Sequence, residues 1–277
     1  MITRMAALCI VVFWAVMMGW LAWHDLWPAW TAQDPPRTLF KDLPTLGSTC
    51  SQVGIFDHRG YRIGTAWTTH TRQEPTVLRE DCLWIERFPA LPPTRIEADS
   101  TFDADGRLDE VELYVYGHHV PIEFRGERFP REFAFQMKVG HLPPRTFKIP
   151  HTRAGAFGDM FRPFAALRNL RVGQAWRMQV FNPVAVVSGL GDGFAPMLVR
   201  VTGTRRIVRH GKAMECFVVE APGSRALVGP DGVVYEQSVE LPVGGTIVIR
   251  DEPYDAEMRW RVEHLELSSD MEVNRGP

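Results

Sequence analysis

No stripe of lysine or arginine runs through this sequence: 31 basic residues stand against 33 acidic ones in 277, a formal charge of -2. Without such a stripe the chain has no electrostatic footprint for a phosphate backbone, so nucleic acid is excluded as an expected partner. Cysteine is scarce too. Cys9, Cys50, Cys82 and Cys216 form no C-x-x-C pair and have no histidine at zinc-finger spacing, which removes a structural zinc. The local signatures H-E-x-x-H, P-loop and G-x-S-x-G are missing. No cofactor, metal or catalytic residue is therefore expected, and an enzyme is the least favoured class. Helical periodicity is sparse as well. What remains is 45% apolar and 23% charged residues, the composition of a folded globule with ample material for a core.

One apolar run stands out. Met5 to Trp23 is a 19-residue stretch without a charged side chain, which as a helix rising ~1.5 Å per residue approaches the ~30 Å of a hydrocarbon core. Arg4 precedes it and no Lys or Arg follows before Arg37, so the positive-inside rule keeps the N-terminus cytoplasmic. Trp20, Trp23, Trp27 and Trp30 suit an interfacial belt. These features predict a signal-anchor helix over residues 1-30 in the bacterial inner membrane, contacting the lipid bilayer, with the rest periplasmic. A cleaved signal peptide is the rival, although Trp30 before Ala32 spoils the small-residue cleavage pattern. A Pro-rich linker follows over 31-47.

From 48 to 277 period-2 alternation dominates. Val111, Leu113 and Val115 alternate with Glu110, Glu112 and Tyr114, and Phe133, Phe135, Met137 and Val139 alternate with Ala134, Gln136 and Lys138. The pattern recurs at Trp176, Met178 and Val180, from Val233 to Leu241, and around Trp260 and Val262. The predicted fold is mostly β: an antiparallel, strongly curved sheet or incomplete β-barrel. Phe157, Phe161, Phe164 and Leu167 recur at spacings of three and four, predicting one short helix over the sheet, limited by Pro163. Gly64-Thr-Ala-Trp67 echoes Gly173-Gln-Ala-Trp176, and Asp105-Gly106 echoes Asp231-Gly232, which leaves open an internal duplication over about 50-150 and 170-265.

The candidate sites are few. Gly189, Gly191 and Gly193 lack the third spacing of a dinucleotide loop and read as a strand connection. Asp103, Asp105, Gly106 and Asp109 suggest a calcium loop, but the glycine is at the fourth position rather than the sixth, so a hairpin turn is expected. His118 and His119 are adjacent and would point to opposite faces of a strand, so they cannot chelate as a pair. Cys82 and Cys216 lie in apolar, strand-like contexts, and an oxidising compartment favours one bridge, for which Cys50 with Cys82 is the candidate. Trp67, Phe133, Phe135 and Trp176, with Phe157, Phe161 and Phe164 above them, could line a concave groove for an acyl chain or simply fill a core.

The segments VGIFDHRGYRIGTAW, DSTFDADGRLDEVELYV, LRVGQAW and ECFVVEAPGSRALVGPDGVVYEQSVELP resemble bacterial envelope β-domain proteins, similar to the half-barrels of lipoprotein-localisation carriers and to modules that precede transglutaminase-like domains. The resemblance spans most residues from about 50 to 255. It implies an incomplete barrel with a helix over its concave face and a non-catalytic, membrane-tethered role, binding a lipid, a lipoprotein or an envelope membrane-protein partner. The alternative expectation is a structural accessory subunit of an inner-membrane transport complex that presents a sheet edge to its partner. A cysteine-dependent hydrolase or transferase is the third. The transglutaminase-like catalytic Cys, His and Asp would belong to a further domain, and this sequence ends at Pro277.

Overall fold

The computed structural model describes residues 2–21, 47–88, 92–103, 108–117, 120–150, 164, 167, 169–181, 194–209, 211–241 and 245–265. Side chains are described for most of these, but not for 2–9, 11 and 21 in the first helix nor for 149–150, 179–181, 194–196 and 241 in the strands. Among the described residues fourteen strands form one antiparallel sheet. In chain order they are β1 (Ser48–Asp57), β2 (Arg62–Gln73), β3 (Thr76–Ile85), β4 (Thr94–Phe102), β5 (Leu108–Tyr116), β6 (Ile122–Arg128), β7 (Glu132–Val139) and β8 (Arg145–Pro150). Then follow β9 (Ala175–Phe181), β10 (Phe194–Arg209), β11 (Lys212–Ala221), β12 (Ser224–Val228), β13 (Val234–Leu241) and β14 (Gly245–Glu252). Each strand pairs with its sequence neighbour, except that β8 and β9 do not pair and β1 pairs with β14. The result is two meanders joined in the middle of the sheet. It does not close, and its two ends are β8 and β9.

The alternation read from sequence creates the two faces. One continuous row runs Val219–Ala226–Gln237–Ile249–Ile55–Gly64–Ile85 across β11 to β14 and β1 to β3. Two residues along β1, the next runs Val53–Ala66–Leu83–Ile96–Val115–Ile122–Val139. On this apolar face Phe102, Leu108, Val111, Phe124, Phe133, Phe135 and Met137 form one core cluster. Trp176, Val199, Val201, Val219, Ala226 and Val228 form another with Phe164, Leu167 and Leu170, and Val53, Ile55, Ala66, Leu83 and Ile249 lie between. Burying a side chain of this size contributes roughly 1.5–3 kcal/mol, so these rows fix the register: a one-residue slip would expose a whole set. At Gly126 the missing side chain leaves room for the rings of Phe133 and Phe135.

Among the described residues two helices accompany the sheet. The first, α1 (Ile2–Leu21), carries the apolar run. Among the described residues no helix is long and apolar enough to cross a membrane, which corrects the single-pass inner-membrane placement expected above. A spanning helix needs about 20 consecutive apolar residues to cross ~30 Å of hydrocarbon, and among the described side chains of α1 the longest continuous run is 12–20. Trp20 on this helix is exposed; Trp23, Trp27 and Trp30, and nearly all of the 31-47 linker, lie outside the described residues.

The second helix, α2 (Ala256–Glu263), stands where alternation around Trp260 and Val262 predicted a strand. Asp255 caps it, its carboxylate accepting from the Met258 amide at 2.9 Å, and Glu257–Arg261 and Arg259–Glu263 pair at i,i+4. Those local signals outweigh the period of two. The predicted helix Phe157 to Leu170 falls mostly outside the described residues; Phe164, Leu167 and Leu170 are buried without helical structure.

Candidate functional site

The sequence-derived groove residues divide between the two faces. Phe133 and Phe135 have no exposed surface; their rings lie 4.7 Å apart, and Phe124 and Phe147 stack on Phe135 at 5.1 and 5.3 Å. Trp176 and Phe164 are buried in the core cluster at the β9 end. Trp67 lies on the opposite face. There its register neighbours are Gln52 and Cys82, and α2 covers it with Val262 and Met258. Its indole donates to Gln52 Oε1 at 2.8 Å, the oxygen that also accepts from the Asp255 amide at 2.8 Å, while Arg95 donates to the carbonyls of Val262 and Glu263 at the helix C-terminus. Phe157 and Phe161 lie outside the described residues. On the apolar face Phe124, Phe133, Phe135 and Phe147 thus pack in one cluster, and Phe164 and Trp176 in another. Trp67 and Trp176, matched in the GxAW echo, occupy opposite faces of an interior strand and an end strand, so the echo does not mark equivalent positions.

The expected Cys50–Cys82 bridge does not form: Cys50, Cys82 and Cys216 are all free. Cys50 is on β1 and Cys82 on β3, with β2 between them. Strands are ~4.8 Å apart, so the two Cα atoms are separated by more than the ~7 Å a disulfide tolerates. Burial, with Glu97 and Glu263 nearby, pushes the Cys82 thiol up to about 12, and burial raises Cys216 as well. Neither is prepared to act as a thiolate nucleophile near neutral pH. Of the proposed calcium loop, Asp105 and Gly106 lie outside the described residues, while Asp103 and Asp109 are both held by Arg128. His118, His119 and Gly189 to Gly193 are likewise outside them.

Two features escaped the sequence reading. Within the apolar face, Arg79 and Asp81 form a buried bidentate pair, Nε–Oδ2 2.7 Å and Nη2–Oδ1 3.0 Å, with Thr68 donating to the same carboxylate. Their signal was present: Val77, Arg79, Asp81, Leu83 and Ile85 share one alternation phase, so two charges occupy positions that the pattern reserves for the core.

The second is the division of charge on the other face. Glu80, Asp99 and Glu112 stand side by side on β3, β4 and β5. Lost hydration and the carboxylates of Glu80, Glu97, Glu112 and Asp81 raise Asp99 to about 6. Towards β8 the sign changes. Arg125 meets Glu112 at 3.4 Å and the Tyr114 hydroxyl at 3.0 Å, and Lys138 lies 3.8 Å from Glu123. A shallow cavity of about 180 Å³ is lined by Glu123, Arg125, Gln136, Lys138 and Pro144, beside the turn that leads into β8. Along β8 itself Arg145, Thr146 and Lys148 are exposed and Phe147 is half-buried.

No protein-family model, curated protein or solved structure matches the chain.

Proposed function

We propose that the chain is a non-catalytic binding or assembly protein that accepts an extended segment of a protein partner along β8. The observation that carries this reading is the open end of the sheet: β8 hydrogen-bonds β7 on one side and is the last strand on the other. A terminal strand presents a row of backbone amides and carbonyls that another strand can complete. Among the described residues no strand pairs with the outer side of β8, and its Arg145, Thr146 and Lys148 are exposed. The raised thiols of Cys82 and Cys216 favour a binding role over cysteine chemistry. The mutual packing of Phe124, Phe133, Phe135 and Phe147 favours a filled interior over a lipid groove.

Amide hydrogen exchange on the full chain tests this. In the free protein every second amide of β8 should exchange fast while β6 and β7 stay protected, and a bound strand should slow those same amides. Protection of β8 equal to that of β7 in the free protein would mean that the edge is already covered, and the reading would fail.

A further inference from the structure

We infer that the hairpin of β10 and β11 is a docking surface for an anionic lipid headgroup layer, a role separate from strand addition at β8. The first ground is its build. β9 pairs with β10 only over 194–200 and β12 with β11 only over 217–221, so among the described residues 205–209 and 212–216 pair with one another alone. They form a ribbon two strands wide. Its inner side is fixed: Ile207, Met214 and Cys216 pack with Val218, Leu227 and Tyr235, and Arg209 lies 3.7 Å from the Asp251 carboxylate on β14. The ribbon is thus held before any partner arrives, which keeps the ordering cost of docking low.

The second ground is what the ribbon leaves in water. Val208, opposite Ala213, is 70% exposed, more than any other large apolar side chain described. Around it the charge is one-sided. Between 203 and 216 stand Arg205, Arg206, Arg209 and Lys212 against the single carboxylate of Glu215, which faces Arg206 across the ladder and accepts from the Thr204 hydroxyl at 2.6 Å. Asp251 answers Arg209, so the surplus rests on Arg205 and Lys212, both exposed and without an ion pair among the described residues. Alternation places Arg206 and Val208 on one side of the ribbon and Arg205, Arg209 and Lys212 on the other. A rigid protein face would meet one side only, whereas a headgroup layer is soft and takes a protruding tip from both. There the anionic phosphates attract the cations, and Val208 leaves water at the boundary with the acyl chains.

The test is sedimentation of the full chain with vesicles of phosphatidylcholine, alone or with about one-third phosphatidylglycerol. Since α1 is unchanged in every variant, the neutral vesicles supply the baseline and the anionic excess reports the ribbon. Wild type should show that excess at low salt and lose most of it as the screening length falls below ~10 Å. Each cation near an anionic surface is worth about fivefold, so Arg205→Glu with Lys212→Glu should cut the excess at least ~25-fold, and Val208→Ser should weaken it severalfold. The same reversals at exposed Arg59 and Arg131, outside the ribbon, should leave most of it. No anionic excess in the wild type, or equal losses in the two double variants, would overturn the ribbon as the docking surface. Soluble polyglutamate binding as tightly as the anionic vesicles, with Val208→Ser making no difference, would put an acidic protein in place of the lipid layer and overturn the inference.

Discussion

Removing the carboxylate of Asp81 should destabilise the fold more than removing the whole ion pair. Asp81 is 8% exposed and Arg79 3%, and the pair is bidentate, with Nε–Oδ2 at 2.7 Å and Nη2–Oδ1 at 3.0 Å. In its row Asp81 is flanked by Thr68, which donates to it, and by Ala98, beyond which come Leu113 and Phe124. Asp81→Ala therefore leaves a guanidinium inside an apolar face without its counter-charge. Breaking a buried pair from one side costs about 3–5 kcal/mol, whereas replacing both partners by apolar residues of similar size is often close to neutral. At roughly 2–4 °C per kcal/mol for a domain of this size, Asp81→Ala should lower Tm by about 10 °C. Arg79→Met combined with Asp81→Leu should recover at least ~2 kcal/mol of that loss. The assay is urea denaturation followed by tryptophan fluorescence, with thermal melts by circular dichroism as a second readout. A double variant as unstable as Asp81→Ala, or a single variant costing under ~1 kcal/mol, would refute the claim that a desolvated, unneutralised charge dominates here.

Asp99 gives a pH dependence of unusual sign. Its folded-state value, about 6, lies above the ordinary 3.8, so the folded state favours the proton. That contribution is complete below 3.8 and is lost as pH rises through 6. Asp99→Asn should raise the urea midpoint at pH 8 but much less at pH 4, and a difference between the two proteins that does not vary with pH would contradict the carboxylate row. Alkylation with iodoacetamide, mapped by mass spectrometry, should label exposed Cys50 in the native protein and reach Cys82 and Cys216 only after unfolding; equal labelling of all three would contradict the burial assigned to the latter two. Gly126→Ala would place a methyl 2.6 Å from the Phe133 ring and 2.7 Å from that of Phe135, a contact that forces the stack apart. Overpacking of this kind costs about 1–3 kcal/mol, and an unchanged urea midpoint would show that the rings yield freely.

The sequence made individual strands legible and their neighbours illegible, for a physical reason. Alternation is local: Val111 and Leu113 on β5, and Phe133, Phe135 and Met137 on β7, are buried as their period of two requires. Which face those residues share with another strand depends on register, which no single segment encodes. Trp67 and Phe133 therefore looked like two walls of one groove, although pairing places them on opposite sides of the sheet. In α2 the alternation around Trp260 and Val262 mimicked a strand, while the Asp255 cap and the pairs Glu257–Arg261 and Arg259–Glu263 carried the helical information. In β3 the charges of Arg79 and Asp81 broke the apolar phase in plain view; what the sequence withheld was that each had the other as its partner.

The location of the sheet's open edges is the least local property of all. A meander whose strands paired only with their sequence neighbours would leave its first and last strands at the sheet's ends. Here β1 pairs with β14, Gln52 standing opposite Glu252, so both of those strands are interior. Their mutual pairing satisfies the backbone groups that would otherwise form the edges, and α2, which follows β14 directly, seals Trp67 and Cys82 beside them. The open edges are thereby moved to β8 and β9, in the middle of the chain. Through that long-range pairing Arg145 and Lys148 stand on an end strand of the sheet rather than in its interior, where the proposed partner strand would add.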